Sequence, residues 1–466
     1  MTAPASDAFV FFGATGDLAY KQIFPALQVL IGRGHLDVPI IGVAKSGWDL
    51  RQLKERARES LEKHGGVQKK AFAALCERLQ YIDGDYRESS TYEALGKALG
   101  TASRPLHYLA IPPSMFATVV EELDKAQCIR QARVVVEKPF GHDLASAREL
   151  NGILTSVFPE EAIFRIDHYL GKEPVQNIYY TRFANSILEP LWNRNYISCV
   201  QVTMAEDFGI QGRGRFYEEA GAIRDVLQNH LLEIVAYLAM DASSGDDPAG
   251  IREESARLLR AVKPLDPAHI VRGQFRGYRE EDGVAADSQV ETFVAVQLFI
   301  DTWRWAGVPF YIRSGKCLPV TSTTITVEFK RPPRETFGEI VPAFSNHLRF
   351  RISPDVLIGL GLRVKTPGER RVGEDVELIV AQNEGESMAP YERLLGDAMQ
   401  GDNTLFASER TVEAQWRIIE PVLGNTSPLH YYDQGTWGPT EADQVIARDG
   451  TWYNPKSAEP IVCKNK

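Results

Sequence analysis

The first third of the chain alternates short apolar runs with amphipathic stretches. The strand-like runs are AFVFFG, VPIIGVA, LQYIDG, RPLHYLAI and ARVVVEKP, and a helix-like segment begins at Lys21, after the first of them. Short apolar strands separated by helices are typical of βαβ units, in which helices cover both faces of a parallel sheet. This part of the sequence therefore predicts an α/β domain built on a parallel sheet.

The pattern changes from about Ser198. The strand-like segments there alternate more strongly and follow one another with less helix between them: CVQVTMAED, ETFVAVQLFI, TITVEFKRP, HLRFRIS, GLGLRVK and VELIVAQ. Alternation of this kind indicates a mostly antiparallel sheet with one covered face. The change of pattern places a domain boundary around residues 165–185. We expect an N-terminal domain over residues 1–170 and a larger α+β domain over residues 171–466.

The composition is that of an ordinary globular protein. The chain has 466 residues, too many for one core, and 44% of them are hydrophobic. A net charge of −10 argues against a general nucleic-acid binder, since surfaces that follow phosphates need a basic excess. We find no signal peptide and no apolar run long enough for a bilayer, and expect a cytoplasmic protein. The five scattered cysteines exclude a disulfide framework or zinc ribbon, and we expect no metal.

A glycine-rich turn joins the first strand to the first helix. Strand Phe9–Phe12 runs into Gly13-Ala14-Thr15-Gly16-Asp17-Leu18-Ala19, a GxxGxxA pattern. Backbone N–H groups at such a turn can receive a pyrophosphate, although a tight turn without a ligand is the alternative. After the second strand, Lys45 occupies the slot where NAD enzymes usually carry a carboxylate. A cation suits the 2′-phosphate of NADP, so the sequence favours NADP over NAD, unless Lys45 is merely a solvated lysine.

The segment Phe164–Glu173 concentrates ionisable groups between apolar residues. If it enters a helix, His168, Tyr169 and Lys172 project together, because residues three and four apart share a helix face. An imidazole, a phenol and an ammonium group then form a receptor for a phosphate dianion. Asp167 would remain available to orient a base. A solvated helix start is the alternative reading.

A second cluster lies on Phe216–Met240, whose apolar positions fit one helical stripe. Polar residues this dense on an apolar helix need partners or a ligand. His230 is either a satisfied core histidine or, with Asp167 as its orienting partner, a general base. Glu206 at a strand end precedes a loop, and Lys316 follows another short strand, which aims both at a cleft.

These residues fall within motifs that resemble the glucose-6-phosphate dehydrogenase family over essentially the whole chain. The motifs are GATGDLA, YLAIPP, EKPFGHDL, RIDHYLGKE, LEPLWNRNYI, GRGRFYEEAGAIRDVLQNHLL, FYIRSGK, PYERLLGDAMQGDNTLF and GTWGPTEAD. The resemblance implies a Rossmann domain plus a large, mostly antiparallel sheet with helices. It implies oxidation of glucose 6-phosphate to 6-phosphogluconolactone with NADP, the first step of the oxidative pentose phosphate pathway. It also implies a homodimer or homotetramer.

The resemblance also assigns roles to residues. His230 would be the general base and Asp167 would hold its tautomer, while His168, Tyr169 and Lys172 would bind the sugar phosphate. Other substrate contacts would come from Lys138, Glu206, Asp225 and Lys316. The cofactor would be bound by Gly13, Ala14, Thr15, Gly16, Asp17, Leu18, Lys21, Lys45, Asp85, Tyr86 and Lys138.

Three positions depart from the family pattern: Lys45, Thr321, and Phe116, which stands where a Tyr is common near the adenine pocket. Many relatives carry Arg where this chain has Lys45. Many also carry a substrate-binding cation where this chain has Thr321, and loss of that cation would weaken substrate binding by about 1–3 kcal/mol. Two other functions stay open. A dehydrogenase of the other EKP-marked family, acting on an unphosphorylated sugar, is one alternative. A non-catalytic NADP- or sugar-phosphate-binding regulator is the other. The ratio of NADP to NAD use, the oligomer size, effectors and a second, structural NADP stay open.

Overall fold

The computed structural model describes residues 4–245, 248–334, 345–368, 372–381 and 388–456. The chain divides into two compact units. The first contains the residues up to Glu173 and two later segments, 243–254 and 387–413, as far as these are described. The second contains residues 174–242, 255–386 and 414–466, within the same bounds. The sequence led us to expect a single boundary, whereas the first unit also includes these two later segments. The roles expected of residues 1–170 and 171–466 stay predictions.

The first unit contains a parallel sheet, as the sequence predicted, and this sheet has six strands. The strand order is β3-β2-β1-β4-β5-β6, the arrangement of a Rossmann domain. Every residue of β1, β2 and β4 is buried, which explains their continuous apolar runs. The strands are β1 Ala8–Phe12, β2 Ile40–Ala44, β3 Leu79–Asp83, β4 Pro105–Leu109, β5 Arg133–Glu137 and β6 Ile163–Ile166.

Helices connect the strands of this sheet. The first helix begins with a wide π-helical turn at Ala19, two residues before the predicted start at Lys21. Asp49 caps the second α-helix, because its carboxylate accepts the amide of Gln52 at 2.8 Å and the Gln52 side chain accepts the Asp49 amide at 2.9 Å. The helices are Ala19–Ile23 (π), Phe24–Gly32, Leu50–Lys63, Lys69–Arg78, Ser89–Leu99, Pro113–Met115 (3₁₀), Phe116–Lys125, Leu144–Thr155, Glu160–Ala162 (3₁₀) and Pro390–Gln400.

The second unit contains a nine-stranded, mostly antiparallel sheet, again as predicted. The order is β14-β13-β12-β11-β7-β10-β9-β8-β15, and only β7 with β10 and β8 with β15 run parallel. The strands are β7 Ile197–Ala205, β8 Ile270–Phe275, β9 Phe293–Phe299, β10 Pro309–Gly315, β11 Ser322–Phe329, β12 His347–Ser353, β13 Leu357–Lys365, β14 Gly373–Ala381 and β15 Leu429–Tyr432.

The segment Phe216–Met240, predicted as one helix, is mostly helical but changes its helix type along its length. Gly221 interrupts it with φ 59° and ψ 179°, and a π-helical segment of nine residues follows. The remaining helices are Glu173–Ala184, Glu189–Leu191 (3₁₀), Gly214–Ala222, Ile223–Leu231 (π), Leu232–Ala239, Pro248–Ala261, Pro267–His269 (3₁₀), Tyr278–Glu280 (3₁₀), Glu409–Ile419, Glu420–Val422 (3₁₀) and Ala442–Ile446.

The described residues show the character of the helices with respect to membrane crossing and the state of four cysteines. None of the helices in this part of the chain combines the length and the apolar character that a membrane crossing requires. The cysteines in it carry free thiols: Cys76, Cys128, Cys199 and Cys317. Cys463 lies outside the described residues.

Candidate active site

The glycine-rich turn lies at the carboxyl edge of the parallel sheet, directly after β1. Gly13 has φ +80°, and a Cβ on it would lie 2.1 Å from the carbonyl oxygen of Ala110, so only glycine fits. Its amide donates to the Val43 carbonyl and to the Tyr86 hydroxyl, both at 2.9 Å. The Tyr86 hydroxyl in turn donates to the Val43 carbonyl at 3.2 Å. The turn is therefore tied to the ends of β2 and β3.

The other residues predicted for the cofactor continue from this turn. The Gly16 amide donates to the Gly13 carbonyl at 2.9 Å and closes the turn before the helix starts. Lys21 on the first helical turn forms an exposed ion pair of 3.2 Å with Asp17. The members that the structure brings together in this turn are Gly13, Ala14, Thr15, Gly16, Asp17 and Leu18.

Lys45 and Asp85 meet at the same edge, after β2 and β3. The Lys45 Nζ lies 2.7 Å from Oδ2 of Asp85. This hydrogen bond raises the pKa of Lys45 and lowers the pKa of Asp85, so both groups are charged. The structure thus places the predicted cation where the sequence expected it, with a carboxylate as its partner.

Lys138 follows β5, and its peptide bond to Pro139 is cis. Beside it, Glu137 accepts hydrogen bonds from the phenols of Tyr108 and Tyr391. Burial raises the pKa of Glu137 to about 7, although the two phenols and Lys138 act in the opposite direction. No role was predicted for this carboxylate from the sequence. Tyr391 lies far away in sequence, so no local motif could have connected it with Glu137.

The segment predicted to bind phosphate folds as a turn and not as a helix. Its helix begins only at Glu173. The Asp167 carboxylate accepts the Tyr169 amide at 2.9 Å, and the Lys172 amide donates to the Tyr169 carbonyl at 3.0 Å. The Lys172 Nζ lies 3.6 Å from the centroid of the Tyr169 ring, and the His168 ring lies 5.3 Å from the same ring. The three side chains therefore gather although the helical premise is wrong.

Glu206 and Lys316 form an ion pair within the second unit. They follow β7 and β10, whose last residues, Ala205 and Gly315, lie side by side in parallel strands. Lys316 is 3% exposed, and its Nζ lies 5.6 Å from the centroid of the Tyr217 ring. A buried cation with a carboxylate partner at two strand ends suits the recognition of sugar hydroxyls.

His230 and Asp225 lie on the π-helical segment Ile223–Leu231. His230 is 3% exposed, and its amide donates to the Asn229 side chain at 2.6 Å. In an α-helix, residues five positions apart point about 140° away from each other. In a π-helix the hydrogen bonds join residues five apart, so Asp225 and His230 lie one turn apart on the same side of the helix. Sequence periodicity alone did not reveal this arrangement.

Thr321, where the family resemblance implied a cation, lies exposed before β11. Its hydroxyl donates to the Asp207 carboxylate and accepts the Asp207 amide at 3.0 Å. Position 321 therefore carries no charge, and its two hydrogen bonds hold Asp207, the neighbour of Glu206, in place.

The predicted site residues form two groups, one in each compact unit. The first unit holds the glycine turn, Lys45, Asp85, Lys138 and the turn Asp167–Lys172. The second holds Glu206, Asp225, His230 and Lys316. The pairing of Asp167 with His230 stays a prediction.

Comparison with known proteins identifies the family. Residues 10–177 match the family model of the glucose-6-phosphate dehydrogenase NAD binding domain, and residues 179–454 match the model of its C-terminal domain. The chain belongs to the glucose-6-phosphate dehydrogenase family. It is therefore an oxidoreductase, as the sequence analysis predicted.

Relatives of this family match nearly the whole chain. Glucose-6-phosphate 1-dehydrogenase 1 of Mycobacterium tuberculosis is 45% identical over 454 residues, which cover 97% of each chain. The crystal structure of glucose-6-phosphate 1-dehydrogenase from Mycobacterium avium superposes with a TM-score of 0.93 at 45% identity, and covers 98% of this chain and 100% of the other. A glucose-6-phosphate dehydrogenase in complex with its substrate glucose-6-phosphate superposes with a TM-score of 0.89 at 34% identity, over the same shares of the two chains.

Proposed function

We propose that the protein oxidises D-glucose 6-phosphate at C1 to 6-phospho-D-glucono-1,5-lactone, with NADP as the preferred hydride acceptor and NAD as a weaker one. Family membership along the whole chain and the relative solved with glucose-6-phosphate support this reaction. The observation that carries the proposal is the turn that gathers His168, Tyr169 and Lys172. The reaction is the first step of the oxidative pentose phosphate pathway.

Residues 1–170 would bind the cofactor, and residues 171–466 would bind the sugar and form the contacts of a homodimer or homotetramer in the cytoplasm. The glycine turn suits a dinucleotide, because it lies at the carboxyl end of β1 and directly before the first helix of the parallel sheet. Gly13 through Leu18 with Lys21 would hold the pyrophosphate, and Lys45, Asp85 and Tyr86 the adenosine end. When bound, NADP supplies the nicotinamide ring that accepts the hydride.

The sugar phosphate would be held by charge-assisted hydrogen bonds from His168 and Lys172 and by the Tyr169 phenol. Lys138 would contact both sugar and cofactor. Glu206, Asp225 and Lys316 would bind sugar hydroxyls. This set fixes C1 in one orientation, which is how positioning lowers a reaction barrier.

His230 would remove the proton from the C1 hydroxyl while the hydrogen on C1 leaves as hydride. The C1–H bond breaks, and the oxygen lone pair forms the C1=O bond of the lactone. Asp167 would hold the His230 tautomer whose free ring nitrogen accepts that proton. His230 is buried, which keeps water from competing for the proton.

The first test measures absorbance of reduced nicotinamide with purified protein, glucose 6-phosphate and NADP or NAD. We expect a rise with NADP, a smaller rise with NAD and none with unphosphorylated glucose. Equal rates on glucose and glucose 6-phosphate would remove the phosphate receptor from the proposal. A flat trace with every combination would remove the reaction.

Substitution of the base should abolish most turnover. We expect His230→Asn to lower kcat by about two to four orders of magnitude, the usual weight of a general base, with a small change in KM. His269, exposed on a 3₁₀ turn, offers a matched control as His269→Asn. A His230→Asn enzyme with near-normal kcat would show that another group takes the proton.

Substitution of the phosphate-binding lysine should act on affinity instead. We expect Lys172→Ala to raise the KM for glucose 6-phosphate roughly 10- to 100-fold, since a charge-assisted hydrogen bond contributes about 1.5–3 kcal/mol. Lys125→Ala, which removes an exposed lysine paired with Glu122, is the control. An unchanged KM would place the phosphate elsewhere.

A further inference from the structure

The lysine expected to meet the 2′-phosphate of NADP is already paired. The Lys45 Nζ lies 2.7 Å from Oδ2 of Asp85, while Oδ1 of the same carboxylate accepts the Arg87 amide at 3.0 Å. The hydrogen bond from the Arg87 amide fixes the carboxylate in the loop after β3, so Asp85 stays beside Lys45. Any group that approaches Lys45 therefore meets this carboxylate as well.

The surroundings of Lys45 are acidic. The Asp83 carboxylate accepts the amides of Ser46 and Gly47 at 2.9 Å each, which brings a second carboxylate to the loop after β2. Arg87 and Glu88 are the other charged groups that act on Lys45. These five groups, the cations Lys45 and Arg87 and the carboxylates Asp83, Asp85 and Glu88, together carry a charge of −1. This balance is poor for a 2′-phosphate dianion and acceptable for a neutral 2′-hydroxyl.

We infer that Asp85 determines cofactor specificity: it competes with the 2′-phosphate of NADP for Lys45 and accepts a hydrogen bond from the 2′-hydroxyl of NAD. The inference rests on the proposed use of Lys45 for NADP. A carboxylate near the end of the second strand holds the ribose hydroxyl in NAD-binding Rossmann domains generally. In this chain β3, the neighbour of β2, provides it. The enzyme consequently uses both cofactors, with a reduced preference for NADP.

The size of the effect follows from the exposure of the pair. Lys45 is solvent-exposed, and exposed ion pairs are weakened by water and salt. Removal of the Asp85 charge removes both a competitor for Lys45 and a repulsion on the phosphate. We expect the dissociation constant of NADP to fall about three- to tenfold, and that of NAD to rise about two- to fivefold.

The test uses full-length Asp85→Asn, because asparagine keeps the oxygen that accepts the Arg87 amide. Binding of NADP and of NAD is measured by titration calorimetry without sugar, so the readout is independent of turnover. Glu88→Gln removes one charge from an exposed neighbour whose side chain forms no cap on its helix. This control should change the ratio of the two dissociation constants by less than twofold. Asp85→Ser serves as a second variant if asparagine disturbs the turn.

Lys45→Ala separates failure of this inference from failure of the proposed function. If Lys45→Ala leaves NADP affinity unchanged, Lys45 does not bind the 2′-phosphate, and the cofactor assignment of this residue fails. If Lys45→Ala weakens NADP binding but both Asp85 variants keep the wild-type ratio, the role of Asp85 is wrong. If the ratio shifts towards NADP in both Asp85 variants and not in Glu88→Gln, Asp85 is the specificity determinant.

Discussion

The carboxyl group of Glu137 illustrates how one side chain acquires unusual chemistry from its surroundings. Burial raises its pKa from 4.5 to about 7. The phenols of Tyr108 and Tyr391 donate to it, and burial raises their own pKa values so that both remain protonated donors. Lys138 lowers the pKa of Glu137 and Asp167 raises it. Glu137 therefore changes charge near neutral pH, one residue before the proposed substrate lysine.

The pH dependence of stability should reveal this group. Between pH 4.5 and 7 the folded protein keeps a proton on Glu137 that the unfolded chain has lost, so the contribution of this group to stability falls as the pH rises. Glu137→Gln resembles the protonated form and removes that fall. We expect the free energy of unfolding of the variant, relative to that of wild type, to increase by about 2 kcal/mol from pH 5 to pH 8. Urea denaturation midpoints at both pH values measure this; parallel curves would contradict the raised pKa.

At this scale the sequence predicted the residues that are close in the chain. The proximity of His168, Tyr169 and Lys172 could be predicted because they lie within five positions of one another, and their binding of phosphate stays a prediction. The contact of Tyr391 with Glu137 could not be predicted, because it depends on a distant segment that returns to the sheet. The position of Lys45 after β2 could be read from the sequence, but its ion pair with Asp85 required knowledge of which strands are neighbours.

At the scale of elements, three strands at one end of the second sheet share a cluster of charged side chains. The Glu377 carboxylate on β14 accepts a hydrogen bond of 2.7 Å from the Arg349 guanidinium on β12. Nε2 of His347, also on β12, lies 3.5 Å from the same carboxylate. The strand between them carries glycines. A Cβ on Gly361 would lie 2.2 Å from the His347 ring, and one on Gly359 2.3 Å from the Glu377 carboxylate. The glycines of β13 therefore let side chains of the outer strands meet across it.

This cluster should make the sheet sensitive to acid. Burial alone would raise the pKa of Glu377, but His347 and Arg349 outweigh it and lower the pKa to about 2. The stability it contributes is complete above pH 4.5 and is lost as the pH falls towards 2. We expect Glu377→Gln to lower the free energy of unfolding by about 2 kcal/mol at pH 7, and by little at pH 2.5.

Thermal unfolding at both pH values checks the result. Asp375→Asn is the control on the same strand, since its pair with Arg363 is exposed and should contribute less than about 0.5 kcal/mol. An equal loss in both variants would mean that the cluster adds nothing beyond an exposed pair.

The helix that carries His230 marks the limit of periodicity as a guide. Its apolar stripe predicted helix correctly, but the start of the π-helical segment is set by a residue from elsewhere in the chain. The amides of Ala222 and Ile223 donate to the carbonyl and the carboxylate of Glu291 at 2.9 and 3.2 Å. A stripe of apolar positions contains no information about such an anchor.

At the scale of the whole molecule, the first unit is completed by residues from near the end of the chain. Glu392 lies 2.7 Å from Arg33, and the Met399 carbonyl accepts the amide of Ser6 at 2.7 Å. Phe406 packs edge-to-face on β6, with 4.9 Å between its ring centroid and that of Phe164. The first unit is therefore compact in space although it is not continuous in sequence.

Removal of the returning segment should destabilise the first unit. A fragment of residues 1–172 loses the burial of four large apolar side chains: Leu394, Leu395, Met399 and Phe406. At about 1.5–3 kcal/mol each, this loss is comparable to the whole stability of a domain. We expect no cooperative thermal transition by circular dichroism, and its recovery when residues 388–413 are fused through a flexible linker. A cooperative transition in the short fragment would show that the segment is dispensable.

The same connectivity has a consequence for biosynthesis. At roughly 5–20 residues per second, a ribosome needs on the order of 10–50 s to proceed from Glu173 to the end of the segment at Glu413. During that time the apolar surfaces that will receive Leu394 and Phe406 have no native partner and are open to chaperones or to neighbouring nascent chains. The first 173 residues of this protein must therefore remain soluble in an incomplete form until residues that have not yet been translated emerge and complete the first unit.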